Sequence, residues 1–309
     1  MFRRVKKARL VAQKILGIVG INADDIRLIQ FGTNITFCAL RGTDKYAIRI
    51  SSFDTKKTKK IESEIEVIRY LEQDEEINSC KLIQLDYQQD YMLIEDEESN
   101  YLVLLFEWIE HPFLNKRVNV NDAYYAGRVL AQFHECMLRK KWKSQLIEWN
   151  PEYLFSSKGI YNIDEVLLKI SDDFRDIILR GLNLVLIEFK DMCMDSTNYG
   201  IVHGDFYFRN LYSMGDRVGI IDFETIGYGY YLMDLYNFED VGCFDENQFL
   251  DGYRSIRVIP DDYQAYKRIF NVFYCIRYLA LIVLKSSLND IERNEGFKSL
   301  ICELKEVLE

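Results

Sequence analysis

Three side chains with fixed spacing could do chemistry together in this chain. Ile201-Val202-His203-Gly204-Asp205-Phe206-Tyr207-Phe208-Arg209-Asn210 carries an Asp and, five residues on, an Asn. Twelve residues after Asn210 comes a second carboxylate, in Ile220-Ile221-Asp222-Phe223-Glu224. Asn and Asp offer the hard oxygen ligands that Mg²⁺ takes alongside phosphates. A carboxylate beside a hydroxyl nucleophile orients it and accepts its proton. The spacing is that of a phosphoryl-transfer site: a loop Asp as base, an Asn on the metal, and a second metal-binding Asp beyond a short hairpin. Leu211-Tyr212-Ser213 and Val218-Gly219-Ile220-Ile221 read as that hairpin, turning through residues 214–217, and it brings Asn210 and Asp222 to one end. A loop-capping Asp and hairpin-end hydrogen bonding are the plainer readings, and neither accounts for all three residues at once.

Other chemistries find no support. There is no G-x-x-x-x-G-K-[ST] phosphate loop and no G-x-S-x-G nucleophile elbow. Gly227-Tyr228-Gly229 begins a G-x-G without a third glycine. His134-Glu135 begins H-E-x-x-H, but position 138 is Leu. Three histidines in the chain make a poly-His metal site a poor reading. The seven cysteines are odd in number, widely spaced and form no C-x-x-C, so they read as small apolar residues in a reducing compartment.

Composition sets the remaining bounds. With 309 residues, 49% hydrophobic and 14% aromatic, the chain can bury a large core, and 16 Gly with 3 Pro exclude low-complexity architectures. The charge sum of 39 basic and 49 acidic residues, −10, disfavours nucleic acid, which needs clustered Lys and Arg. It suits a metal–phosphate ligand or a cationic small molecule. The basic N-terminus, Met1 to Lys7, is followed by no cleavage pattern of a signal peptide. The most apolar segment, Val272–Leu284, is shorter than a spanning helix needs and contains Arg277. No membrane role and a cytoplasmic location are the expectation.

The elements that must position these residues differ along the chain. Ile26–Leu40 alternates around a turn at Gly32-Thr33-Asn34, and Lys45–Ile50 is a short strand after the turn at 41–44. Ile61, Ile65, Ile68 and Leu71 recur at helical spacing within an expected helix from Thr58 to Gln73. Tyr91–Ile94 and Tyr101–Phe106 read as two further strands. The expected first part is therefore a sheet with one helix against it. After a hinge near residues 107–112 the pattern turns helical: Asp122–Leu138, one or two helices in Asn162–Met194, then Asp261–Leu284 and Ile291–Leu308.

His203-Gly204-Asp205 with Asn210 and Ile221-Asp222-Phe223-Glu224 resembles the aminoglycoside phosphotransferase and choline kinase family of small-molecule kinases. Weaker matches agree: Phe31-Gly32-Thr33-Asn34 with the phosphate-covering loop, Tyr46-Ala47-Ile48-Arg49 with the nucleotide-lysine strand, and Glu64-Ile65-Glu66-Val67-Ile68 with the helix bearing the ion-pair Glu. Leu104–Ile109 resembles the hinge, Gly127–His134 the helix before the catalytic region, and Asp234-Leu235 the acidic position after the metal loop. The resemblance spans about residues 28–255.

The resemblance implies an α+β, bilobal protein-kinase-like fold. Its N-lobe, residues 1–107, would be an antiparallel sheet plus helix that holds the nucleotide. Its C-lobe, residues 108–309, would be mostly helical and supply catalytic loop, metal site and acceptor pocket. By the same resemblance Asp205 is the catalytic base, and Asn210 and Asp222 hold Mg²⁺. Arg49, Glu64, Gly32, Asn34, Glu107, Ile109 and Asp222 serve the nucleotide, ATP or GTP. The choice of Glu64 over Glu62 and Glu66 rests on the resemblance, not on helix phase. His203 and His134 read as structural hydrogen-bonding and packing residues.

Two features depart from the family pattern. Arg49 stands where a Lys is usual, although Arg recurs there in parts of the family, and the loop has one glycine, Gly32. A nucleotide-binding module of the same fold without turnover is therefore a second reading. A protein kinase is a third, against which no A-P-E-like segment follows Asp222. The acceptor is open among an aminoglycoside or another antibiotic, choline, homoserine, a thiosugar and a spore-coat component. The acidic run Asp234, Glu239, Asp240, Asp245, Glu246, Asp251, Asp261 and Asp262 favours a cationic, aminoglycoside-like compound, with a plain solvated acidic face as the alternative. Oligomeric state is not read from the sequence.

Overall fold

The computed structural model describes residues 2–53, 55–85, 89–96, 99–114, 120–143, 146–192, 194–239, 245–260, 263–291 and 293–309. The chain forms two compact units. The first comprises Met1–Leu114, Trp142–Gln145 and Arg209–Glu224; the second comprises Asn115–Lys141, Leu146–Phe208 and Thr225–Glu309.

The first unit opens with helix α1 (Phe2–Ile18), which the sequence patterning did not announce. Strands β1 (Asp25–Phe31), β2 (Ile35–Arg41) and β3 (Asp44–Ser52) follow, then helix α2 (Thr55–Leu71), β4 (Tyr91–Asp96) and β5 (Ser99–Glu107). The five strands form one antiparallel sheet in the order β1-β2-β3-β5-β4. Side chains alternate across it. Ile48 and Ile50 of β3 join Phe37, Val103 and Leu105 in a cluster with Ala8, Ala12 and Ile15 of α1. Their neighbour Arg49 reaches α2 instead, where it meets Glu64. Two helices therefore serve the sheet, not the single one expected.

The second unit is mostly helical, as its periodicity predicts. It contains α3 (Val120–Leu138), β6 (Ile147–Glu148), α4 (Pro151–Leu154), α5 (Ile163–Leu168), α6 (Asp172–Asp191) and β7 (Tyr199–Val202). After the hairpin strands β8 (Leu211–Ser213) and β9 (Val218–Ile220) of the first unit come β10 (Gly227–Tyr230), α7 (Tyr231–Glu239), α8 (Glu246–Arg254), α9 (Tyr263–Lys285), α10 (Leu288–Ile291) and α11 (Glu295–Leu308). A small sheet, β6-β10-β7, lies among the helices.

Helices α3 and α8 cross at two glycines. A Cβ on Gly127 would stand 1.9 Å from the Phe249 carbonyl oxygen, and one on Gly252 would stand 1.9 Å from that of Tyr124. The obstacles are backbone atoms, so the helices themselves must part. Gly127→Ala is expected to destabilise the protein by at least about 1–3 kcal/mol, the cost of overpacking. Denaturant titration measures this, and an unchanged midpoint would contradict the close crossing.

Cys38, Cys80, Cys136 and Cys275 are buried free thiols and Cys302 is exposed; Cys193 and Cys243 lie outside the described residues. Among the described residues no helix is long and apolar enough to cross a membrane.

Candidate active site

In the first unit the site is built on Arg49. Register places it opposite Thr36 on β2 and Leu104 on β5. Its Nη1 donates to Glu64 Oε1 at 2.8 Å and its Nη2 to Glu64 Oε2, a bidentate pair. The two side chains are 12% and 1% exposed. Burial works against the guanidinium charge, but the Glu64 carboxylate outweighs it and, with Asp222 and Glu224, holds the pKa above the ordinary arginine value. Asp222 Oδ1 lies 3.8 Å from Arg49 Nη1. The neighbouring helix carboxylates are engaged elsewhere: Glu62 accepts from the Tyr91 hydroxyl, and Glu66 from the Lys143 amide.

Hairpin β8–β9 positions Asn210 and Asp222. Leu211 pairs with Ile220 and Ser213 with Val218. Just beyond the Leu211–Ile220 pair the Ile221 amide donates to the Asn210 carbonyl at 2.9 Å, so Asn210 and Asp222 flank the same hairpin end. The hairpin is tied to the rest of the unit by a bridge from Ile220 to Ser79 and by the Ile220 amide on the Asn78 carbonyl. Asp222 has φ 68, the one positive value at a non-glycine residue among those described. Asp tolerates this left-handed region better than most residues, and such strain concentrates at functional sites. Its side chain is 42% exposed.

The β1–β2 turn closes by the Gly32 amide donating to the Asn34 carbonyl at 3.0 Å. Asn34 Nδ2 donates to Glu224 Oε2 at 2.8 Å, and its Oδ1 accepts from the Ser51 hydroxyl at 2.7 Å. Both Gly32 and Asn34 are thus tied into the loop and its attachment to Glu224.

A cavity of about 300 Å³ lies in this unit, lined by the apolar Ala47, Phe106 and Ile221 together with Arg49, Glu64 and Asp222. Glu107 and Ile109 border it as well. Cys80, Phe113 and Arg209 also line it and escaped the sequence reading. Cys80 sits in an irregular stretch without periodicity, and burial drives its thiol pKa upward.

The second unit holds the Asp205 loop. The Asp234 carboxylate accepts from the His203 amide at 2.6 Å and from the Gly204 amide at 2.8 Å. His134 Nε2 stands 3.1 Å from the same carboxylate and its Nδ1 2.9 Å from the Tyr253 hydroxyl. A charged acceptor on Nε2 fixes the tautomer: Nε2–H donates to Asp234 and Nδ1 accepts from Tyr253. Burial lowers the His134 pKa against the pull of Asp234. The Thr225 hydroxyl donates to the His203 carbonyl, and the Asp205 amide donates to His203 Nδ1 at 3.3 Å. Gly204 has φ +76, and a Cβ there would be 2.5 Å from the Thr225 carbonyl oxygen and 2.6 Å from the Trp149 ring. The loop backbone is pinned while Asp205 itself is half-buried.

The fold class these elements define is the bilobal, protein-kinase-like α+β fold, with an antiparallel N-terminal sheet and a helical C-terminal part. The chain belongs to the phosphotransferase enzyme family, whose model matches residues 32–267. Solved structures that resemble it include a microcompartment-associated aminopropanol kinase, at TM-score 0.80 and 19% identity, covering 97% of this chain and 95% of that one. An amicoumacin kinase in complex with AMP-PNP and Ca²⁺ matches at TM-score 0.79 and 18% identity, covering 100% and 96%. A spectinomycin phosphotransferase in complex with ADP and spectinomycin matches at TM-score 0.64 and 15% identity, covering 95% and 96%. No curated protein sequence matches the chain.

The Arg49–Glu64 pair yields a test. Arg49→Lys keeps a point charge and is expected to retain measurable turnover. Arg49→Ala removes it and is expected to raise nucleotide KM or lower kcat by about 10²-fold, the scale of losing one electrostatic donor. Steady-state kinetics over a range of nucleotide concentrations checks this, and unchanged constants in Arg49→Ala would assign the role to another cation.

Proposed function

We propose that this protein is a small-molecule kinase that transfers the γ-phosphate of ATP or GTP to a hydroxyl of a small acceptor. The observation that carries the reading is the buried Arg49–Glu64 pair, with Asp222 3.8 Å from the guanidinium, on the wall of the 300 Å³ cavity. Residues 1–107 and the hinge, through Glu107 and Ile109, hold the nucleotide, with Gly32 and Asn34 in the loop over it and Arg49 on its phosphates. Residues 108–309 supply base, metal ligands and acceptor pocket.

Asn210 and Asp222 fit Mg²⁺. Both offer oxygen donors, both flank one hairpin end, and the Asp222 carboxylate is partly open to solvent. Among the described residues no three His, Cys, Asp or Glu side chains form a cage. A carboxylate, a carboxamide and substrate phosphates are the usual Mg²⁺ set. The bound ion would neutralise charge on the phosphates.

Asp205 orients the acceptor hydroxyl and takes its proton as the new O–P bond forms. The bond from the γ-phosphorus to the bridging oxygen breaks, and the nucleoside diphosphate leaves with that electron pair. Positioning and charge neutralisation do the work, with no covalent enzyme intermediate. A reaction fed by nucleoside triphosphate suits a cytoplasmic protein.

The similarity to kinases of antibiotics supports an aminoglycoside-like acceptor. The acidic run adds less. Asp234 is buried under the Asp205 loop, Asp245 caps α8, Glu246 pairs with Lys267 and Asp251 with Arg254. Asp240, Asp261 and Asp262 lie outside the described residues, and nothing is described of the Glu239 side chain.

A coupled assay of diphosphate release over a panel of hydroxyl compounds, with both ATP and GTP, tests the reading. Acceptor-dependent release is expected. Folded protein that neither binds Mg²⁺–nucleotide nor releases diphosphate with any acceptor would overturn it.

A further inference from the structure

Helix α9 carries an arginine into the interior of the second unit. Arg277 is 4% exposed, and its Nε donates to the Tyr161 hydroxyl at 2.9 Å. Its guanidinium carbon lies 4.8 Å from the Trp149 ring centroid, 5.4 Å from that of Tyr274 and 5.3 Å from that of Tyr278. Arg277 Nη1 is buried and has no hydrogen-bond partner. Arg277 forms no ion pair among the described residues. Burial disfavours its charge, while the surrounding tyrosines and the more distant carboxylate of Asp205 favour it.

The cage adjoins the Asp205 loop. The Trp149 ring that stacks on Arg277 is the ring a Cβ on Gly204 would strike, and its Nε1 donates to the Thr225 carbonyl at 3.0 Å. The same indole therefore borders both the guanidinium and the residue preceding Asp205. Tyr278 is half-buried, so the cage reaches toward solvent at that ring.

Aromatic faces hold a cation, but they do not satisfy N–H donors. A buried unsatisfied donor is costly, and more so on a charged group. The group that best completes a guanidinium is a planar carboxylate. A cationic acceptor at this cage would meet rings already committed to a cation and a like charge among them.

We propose that Arg277, with Trp149, Tyr274 and Tyr278, forms the acceptor subsite, and that the acceptor is a hydroxy acid whose carboxylate is held by Arg277 while its hydroxyl faces Asp205. This rests on the kinase reading and departs from the aminoglycoside-like acceptor that similarity alone supports.

The test follows the Arg277 side-chain ¹⁵N resonances in full-length protein saturated with Mg²⁺–AMP-PNP. The probes are 4-hydroxybutyrate, butane-1,4-diol and 4-aminobutan-1-ol, matched in length and each titrated through the millimolar range. The hydroxy acid is expected to shift the Arg277 resonances saturably, and the amine and diol are not. Arg277→Gln is expected to weaken hydroxy-acid binding about 10–100-fold, the scale of a charged hydrogen bond, and to leave nucleotide affinity unchanged. Arg277→Lys keeps the cation in the cage and loses the planar fork, so it falls between the two and serves if Arg277→Gln does not fold. No shift with the hydroxy acid, or an equal shift with the amine, overturns the acceptor assignment. Failure to bind Mg²⁺–AMP-PNP at all would instead overturn the kinase reading on which it rests.

Discussion

Asp205→Asn is expected to fold, to bind nucleotide as the parent does, and to lose kcat by about 10²–10⁴-fold, the contribution of a positioned general base. The substitution keeps shape and removes the proton acceptor. The loop should not move, because its geometry rests on other groups: the Asp234 carboxylate under the His203 and Gly204 amides, the Thr225 hydroxyl on the His203 carbonyl, and glycine at φ +76 against Trp149. The measurement is kcat beside nucleotide Kd from titration. Turnover near that of the parent would remove Asp205 from the role. A loss of nucleotide affinity equal to the loss of kcat would recast it as a binding residue.

The second large effect is expected at Asp222. Asp222→Ala is expected to abolish the stabilisation that Mg²⁺–nucleotide confers on the folded protein. A ligand present at a hundredfold its Kd stabilises by about 2.7 kcal/mol, and that increment is what disappears. The variant has a second effect to separate out. Asp222 has φ 68, where Ala is strained, so the unliganded protein should also lose stability. Asp222→Asn separates the two, since Asn tolerates this region and lacks the charge. In Asp222→Asn the unliganded melting temperature is expected to stay near that of the parent, while the Mg²⁺-dependent shift is largely lost. A shift equal to the parent's in both variants would take Asp222 out of the nucleotide site.

What could be read from the sequence was local. The β8–β9 hairpin spans ten residues, and its turn chemistry and apolar ends define it without the rest of the chain. Strand β3 shows a short strand pattern, β5 is an unbroken apolar run from Tyr101 to Phe106, and α2 shows its stripe of Ile61, Ile65, Ile68 and Leu71. Helix α1 escaped because two of its five buried residues are Ala8 and Ala12, which carry little hydrophobic signal inside a basic segment. Strand β10 reads as an incomplete glycine motif, whereas Gly227 is needed because a Cβ there would stand 2.3 Å from the Ile147 carbonyl oxygen.

Non-local relations were illegible. Glu62, Glu64 and Glu66 share one helix, and only the docking of α2 beside β3 decides which of them meets Arg49. The His134–Asp234 contact joins residues a hundred positions apart, and Arg277 of α9 meets Trp149 from the segment that follows β6. No spacing rule in one sequence carries such pairings. The partners of the acidic run were hidden for the same reason: sequence shows the charges of Asp234, Asp245 and Glu246, but not that each meets a backbone amide or a lysine.

The most direct test of the central claim is ³¹P NMR of the protein with Mg²⁺–ATP and a mixture of hydroxy acids, amino alcohols and aminoglycosides. The account predicts loss of the γ-phosphate signal, growth of the ADP signals, and a new phosphomonoester resonance that requires Mg²⁺ and is absent with Asp205→Asn. An unchanged ATP spectrum, repeated with GTP, or inorganic phosphate as the sole product with every acceptor, would contradict it.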